Sequence, residues 1–387
     1  MSLNQKTIIV GGGVIGLAIG WKLAAAGQTV TLFERDAVGY GASRYAAGML
    51  APQTEAGFEE RELLELGLES LRRYPNFLKE LRKDSGQTVK LQNEGTLIVA
   101  LDRDDLEALK RFFDFRVSLG LSVQWLTGSE AREREPLLSP NVIGAVFIPD
   151  DLQIEPRELL AALKVAFAKR GGILKENCEV RELLTTSDRV FGVRLSDEMA
   201  VDANQVILAA GSWSPQISEQ LPIRPVKGQI ITLRADATCK LSHVIRAPEA
   251  YLAPKENGRW IVGATNEEMG YDVTKTAGPI MELLQGAYEA VPAIFDCQLE
   301  EIGVGLRPGT PDNAPILGKS SIDGLIYATG HYRNGILLTP VTAEEISNLI
   351  LSGNSALLEK FSLKRFDDNS QWQTASLGIG NQSSSPA

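Results

Sequence analysis

Near its N-terminus the sequence reads IIVGGGVIGLAIGWKLAAAG, from Ile8 to Gly27. The pattern Gly11-x-Gly13-x-x-Gly16 follows a β-branched run, Thr7 to Val10, and opens an alanine-rich stretch that reads as a helix to about Ala26. Strand, tight turn and helix in that order can hold a dinucleotide. Gly11 permits the turn, Gly13 lets backbone approach a pyrophosphate where a Cβ would intrude, and Gly16 lets the helix lie close on the sheet. The free amides and positive end of the helix then face the phosphates. A second strand, Thr29 to Phe33, ends at Glu34, eighteen positions beyond Gly16, where a carboxylate binds the adenosine ribose hydroxyls. An acid there argues against a 2′-phosphate, although Arg35 follows. The expected ligand is NAD or FAD.

Other chemistries have little to be built from. His243 and His331 are the only histidines, which leaves almost nothing for a His-based metal site or a Ser-His-Asp triad. Cys178, Cys239 and Cys297 are far apart and odd in number, so neither a disulfide framework nor a zinc site is expected. No metal is expected, and the chemistry falls to an organic cofactor. A net charge of −10 with scattered basic residues disfavours nucleic acid. No apolar run reaches membrane-spanning length and no basic, then apolar, leader opens the chain, so no membrane partner is expected and the protein is expected in the cytoplasm.

The 387 residues, 44% hydrophobic and 23% charged, suffice for two domains. After the opening unit, GYGASRYAAGML (Gly39 to Leu50) is small-residue backbone suited to a flat ligand. Glu59 to Arg82 reads as one or two amphipathic helices, Val89 to Leu101 as paired strands broken near Asn93-Glu94-Gly95, and Arg103 to Leu119 as a helix. VIGAVFI from Val142 precedes a helix with Pro156 in its first turn. Strands follow near Val180, over Val190 to Leu195 and over Val206 to Ala210, the last running into Gly211-Ser212-Trp213. From Ile223 to Ile302 the texture is of hairpins, including Tyr251 to Pro254 paired with Trp260 to Ala264 across an Asn-Gly turn. Small-residue strand ends return at Ile326 to Gly330, before a final helix to about Leu351. The expected fold is α/β in the mixed α+β sense: a Rossmann-like domain (1–88, 142–222 and 303–366) interleaved with an antiparallel-sheet substrate domain (89–141 and 223–302). The polar tail, 367–387, is expected to be disordered.

GGGVIGLAIGWKLAAAG, FERD, AAGML, LAAGSWS, PVKGQ, VGAT, GLRPGTPDNAPILG and ATGHYRNGILLTP together resemble the D-amino-acid oxidase superfamily, of glutathione-reductase-like type, and within it the bacterial glycine oxidases of thiamin biosynthesis. The likeness runs to about Phe366. It implies non-covalent FAD, with oxidation of glycine, sarcosine and small D-amino acids at the amine-bearing carbon and O2 returning as peroxide. It implies FAD contacts from Val14, Ile15, Glu34, Arg35, Ala42, Ser43, Ala47, Gly48, Met49, Val180 and the run His331, Tyr332, Arg333, Asn334, Gly335, Ile336 and Leu337, beside Gly11, Gly13, Gly16, Gly211 and Gly330. It implies substrate contacts from Tyr251, Arg307 and Arg333, a homotetramer, and a thiazole synthase as partner.

The residue types suit those roles. Pro308 biases Arg307 toward extended backbone, and a guanidinium holds a carboxylate through two parallel hydrogen bonds while keeping its charge. Tyr251 offers a phenolic donor to the same carboxylate. His331 reads as a flavin-side loop residue and not a base. The loop Gly330 to Leu338 aims its amides and the last helix's dipole at the flavin edge where reduction gathers negative charge. Glu249 stands where the family has a histidine and Asn266 where it has a methionine, which bears on substrate rank. A D-amino-acid dehydrogenase or sarcosine oxidase is a near alternative; a tRNA-modifying oxidase or a flavoprotein without turnover is a different class.

Overall fold

The computed structural model describes residues 6–367, so apart from Asp367 the tail lies outside the described residues. Among the described residues the strands form a six-stranded sheet, an eight-stranded sheet and two small sheets. Strand β1 (Lys6–Val10), helix α1 (Val14–Ala25) and strand β2 (Thr29–Phe33) form the opening unit. β1 lies at the centre of the six-stranded sheet, parallel to β2 on one side and to Gln205–Leu208 on the other. Ile173–Lys175 pairs parallel beyond β2, Leu325–Thr329 parallel beyond Gln205–Leu208, and Ile316–Lys319 closes that edge antiparallel. Sites in such sheets lie outside the carboxyl ends of the parallel strands. Here those ends deliver Gly11, Glu34, Ala209 and Gly330.

α1 is buried on nearly every side, which explains its apolar composition. It packs with Arg61–Ser85, Pro156–Lys169 and Thr339–Ser352 around a core containing Trp21, Tyr74, Phe77 and Phe167. A side chain at Gly16 would place its Cβ 2.0 Å from the Gly11 carbonyl oxygen, so only glycine allows the helix to start so close to the turn.

The eight-stranded sheet runs in the order Gln298–Gly309, Arg224–Arg234, Arg259–Gly263, Tyr251–Pro254, Val244–Arg246, Thr96–Ala100, Gly144–Ile148, Gln124–Thr127. Four features differ from the sequence reading. Gln298–Gly309 lies wholly in the eight-stranded sheet, so residues 303–309, expected in the Rossmann-like domain, pair with Arg224–Arg234 instead. Gly144–Ile148 pairs with Thr96–Ala100 and Gln124–Thr127, so the return to the cofactor sheet comes after Ile148 and not at Val142. Its unbroken apolar run fits a central strand of either sheet, and long-range pairing decides. Val89 to Leu101 holds one strand, Thr96–Ala100, with only an isolated bridge from Gln92 to Gln153 before it. Ala277–Ala290, read among hairpins, is a helix whose Ile280, Leu283, Ala287 and Ala290 pack into the core beneath the sheet. The hairpin Tyr251–Pro254 with Arg259–Gly263 forms as expected, Tyr251 opposite Gly263.

No described helix is long and apolar enough to cross a membrane, and no group of three or more His, Cys, Asp or Glu among the described residues is placed to hold a metal.

Candidate functional site

A cavity of about 670 Å³ runs between the two large sheets, within the range of cofactor and ligand sites. One end is built by the opening unit. Gly11 has φ +110°, a conformation that favours glycine, and a Cβ there would lie 2.4 Å from the Ala209 carbonyl oxygen. The N-cap of α1 is Gly13, which has no capping side chain; Ser43 Oγ accepts from the Val14 amide at 3.1 Å. The Glu34 carboxylate accepts from the amides of Gly12 (2.7 Å) and Asp36 (3.0 Å), which fixes an acid beside the turn. Arg35 stacks 3.7 Å over the Trp213 ring. This is a cradle for a diphosphate with an acid at the ribose position, and FAD fits it.

Most of the residues expected at the cofactor line this cavity: Gly11, Gly13, Val14, Ile15, Glu34, Arg35, Ala42, Ser43, Ala47, Gly48, Met49, Val180, Gly211 and the run His331 to Ile336. Gly16, Gly330 and Leu337 stand behind it. Gly16 lies under the turn, Gly330 packs on Thr310, and Leu337 is buried beside Gly67 with its carbonyl accepting from Ser70 Oγ at 2.6 Å. His331 is buried, with Nε2 and Thr342 Oγ1 hydrogen-bonded at 3.1 Å, and burial pushes its pKa down to about 3. Neutral through the working range, it is unsuited to act as a base there.

The other end is built on one face of the eight-stranded sheet. From Gln298–Gly309 the Arg307 side chain leans over the neighbouring strand at Gly228, where a Cβ would stand 2.3 Å from Nη2. Arg307 Nη1 donates to the Thr265 carbonyl at 3.0 Å. From the strand on the far side Tyr251 leans over Gly263, where a Cβ would stand 2.4 Å from the hydroxyl oxygen. Gly228 and Gly263 lie on adjacent strands, so a guanidinium and a phenol converge over two glycines, with the Ile230 side chain beside Gly263. Burial pushes the Arg307 guanidinium below its usual range, yet arginine stays cationic at working pH. Burial raises the Tyr251 phenol to about 12, so it remains a donor. Arg333 lines the same cavity but is exposed, stacked 4.8 Å over Tyr332, and forms no ion pair among the described residues.

The sequence model of the DAO family, described as FAD dependent oxidoreductase, matches residues 6–349. The chain belongs to the DAO family. Within it, glycine oxidase of Geobacillus kaustophilus is 36% identical over 372 residues, covering 94% of this chain and 98% of that protein. The bifunctional protein ThiO/ThiG of Synechocystis is 36% identical over 373 residues, and this chain spans 55% of it. The crystal structure of the Geobacillus glycine oxidase superposes with a TM-score of 0.88, covering 94% of this chain and 99% of that one.

In this DAO-family cavity the lining residues that escaped the sequence reading include an ion pair. Glu55, the last residue of the short helix Pro52–Glu55, forms an ion pair with Arg246, at the end of Val244–Arg246. They are 191 positions apart and belong to no local motif, so only the fold brings them together. Burial alone would raise the Glu55 carboxyl, but Arg246, with Arg333 and Arg307, holds it below the usual carboxylate range. Glu249 lines the cavity with an exposed side chain, and Asn266 Oδ1 accepts from the Tyr332 hydroxyl at 3.0 Å, linking the two ends over the cavity.

Proposed function

We propose that this chain oxidises glycine, together with sarcosine and small D-amino acids, at the amine-bearing carbon, in the service of thiamin thiazole formation. The observation that carries this reading is the convergence of Arg307 and Tyr251 over Gly228 and Gly263 in a cavity continuous with the FAD cradle. A cation and a hydroxyl donor facing each other over two glycines suit a carboxylate, taken by Arg307 through two parallel hydrogen bonds. The Thr265 carbonyl fixes the guanidinium, so the acid end of a short amino acid is held in one orientation. When bound, FAD supplies the hydride acceptor and the route by which two electrons reach O2. No side chain need remove a proton from carbon, in keeping with a neutral His331. The oxidised product is an imine, which water converts to glyoxylate and ammonia.

A thiazole synthase is the partner this reading favours, because relatives such as the Synechocystis protein carry ThiO and ThiG in one chain. The tetramer expected from the resemblance is read by light scattering. The deciding experiment is anaerobic mixing of the purified flavoprotein with glycine, sarcosine, D-alanine, D-proline and larger D-amino acids. Bleaching is expected with glycine and the smallest members, falling as the side chain grows. A flavoprotein bleached by none of them would overturn the reading.

A further inference from the structure

Beside the carboxylate-binding pair stands a second set of charges for which glycine has no use. Glu55 and Arg246 both line the cavity, with side chains only 11% and 30% exposed. Arg246 lies opposite Tyr251 in strand register, and Tyr251 and Arg307 both feel the Glu55 charge. Glu55 is also held firmly from behind. Arg116, 1% exposed, donates from Nε and Nη2 to the Gln53 carbonyl at 3.1 and 2.8 Å and from Nη2 to the Ala56 carbonyl. Thr54, next in the chain, donates its hydroxyl to the buried Asp151. Two buried polar anchors therefore fix the segment on either side of one carboxylate. Stability does not explain the arrangement, since apolar residues of similar volume replace buried ion pairs at little or no cost. Selectivity does, because unpaired or mismatched charge is how a site rejects a competitor.

We propose that the Glu55–Arg246 pair is a specificity wall of the substrate cavity, a self-neutralised couple that turns away amino acids bearing a second charge of either sign. The proposal rests on the reading above, in which Arg307 and Tyr251 take the substrate carboxylate. A second carboxylate directed at this wall meets Glu55, and Arg246, the cation of the wall, is already engaged by Glu55. A second ammonium meets Arg246 under the mirror-image condition. Against the wall either guest loses hydration without gaining a partner there, whereas glycine and D-alanine bring no second charge. Removing one member leaves the other as a poorly solvated charge facing the cavity. A substrate of opposite charge then supplies the missing partner.

The test uses holoenzyme and three amino acids of similar size: D-alanine, D-aspartate and D-2,3-diaminopropionate. Glu55→Gln is expected to raise kcat/KM for D-aspartate relative to D-alanine at least tenfold over wild type and to leave the diamine disfavoured. Arg246→Gln is expected to do the reverse. A structural role alone would loosen the pocket for all three together, so ratios that move in the same direction, or by less than threefold, overturn the proposal. Bound FAD and Tm report folding of each variant. Wild-type enzyme gives a measurement independent of the variants: acetate is expected to compete with glycine more tightly than malonate, and the opposite order overturns the wall. A flavoprotein bleached by neither glycine nor D-alanine would sink the substrate assignment itself, a result separable from unchanged ratios in an active enzyme.

Discussion

Replacing Gly228 by alanine separates the position of Arg307 from its charge. An ideal Cβ at Gly228 stands 2.3 Å from Nη2 and 2.5 Å from Cζ and Nη1 of Arg307. Ordinary carbon contacts begin near about 3.5 Å, so the guanidinium must retreat by about 1 Å. It is the far end of a flexible side chain, and Gly228 has no positive φ, so the strand itself accepts the methyl group. Stability should change by no more than about 1 kcal/mol. Productive geometry is held to about 0.5 Å, and an error of about 1 Å costs on the order of 100-fold. The expected outcome is normal FAD content and Tm with kcat/KM for glycine lower by about 100-fold, or about 2.7 kcal/mol of transition-state stabilisation. Oxygen uptake and the anaerobic bleaching rate measure it directly. A Gly228→Ala enzyme with full flavin and undiminished kcat/KM would refute the idea that Arg307 must lie over that glycine to work.

Gly11→Ala places a Cβ 2.4 Å from a backbone oxygen at φ +110°, where nothing flexible can yield, so the variant should purify without FAD or fail to fold; a normal flavin-to-protein absorbance ratio would count against the cradle. Burial raises the Asp151 pKa to about 7, so the folded protein binds a proton that the unfolded chain releases, and this contribution to stability falls as pH rises from about 4 to 7. Asp151→Asn removes that dependence, so its Tm should gain on wild type progressively across the window, and a constant difference would contradict the assignment. His331→Gln should leave the pH profile of kcat/KM between 5 and 8 unshifted in shape, because His331 stays neutral there; loss of an acidic limb would show that it titrates in the reaction.

What the sequence disclosed follows the range of the forces involved. The glycine turn, Glu34 and the helix start are set within one βαβ unit, so spacing reveals them. Arg307 and Tyr251 could be singled out by type and motif, but the glycines beneath them could not, since strand order decides which residue lies under a side chain. Glu55 and Arg246 were invisible because their pairing closes a separation of 191 residues. Gly144–Ile148 was placed on the wrong sheet because an apolar run does not name its neighbour. The helix Ala277–Ala290 was legible in principle from Ile280, Leu283, Ala287 and Ala290, but its two glycines obscured the period. At Leu337 the chain turns into the core, its carbonyl accepting from Ser70 Oγ, a contact 267 positions away that no motif announces.

The chain enters the six-stranded sheet, crosses to the eight-stranded one, returns, crosses again and comes back with Ile316–Lys319 and Leu325–Thr329. Four tethers therefore bind the two halves, and they cannot swing apart like jaws on a single pivot. Across the mouth between them the Tyr332 hydroxyl donates to Asn266 Oδ1, a side-chain link added to those tethers. The same weave orders maturation: the eight-stranded sheet waits for Gln298–Gly309 and the six-stranded sheet for Leu325–Thr329, so no working pocket exists before both strands have been made.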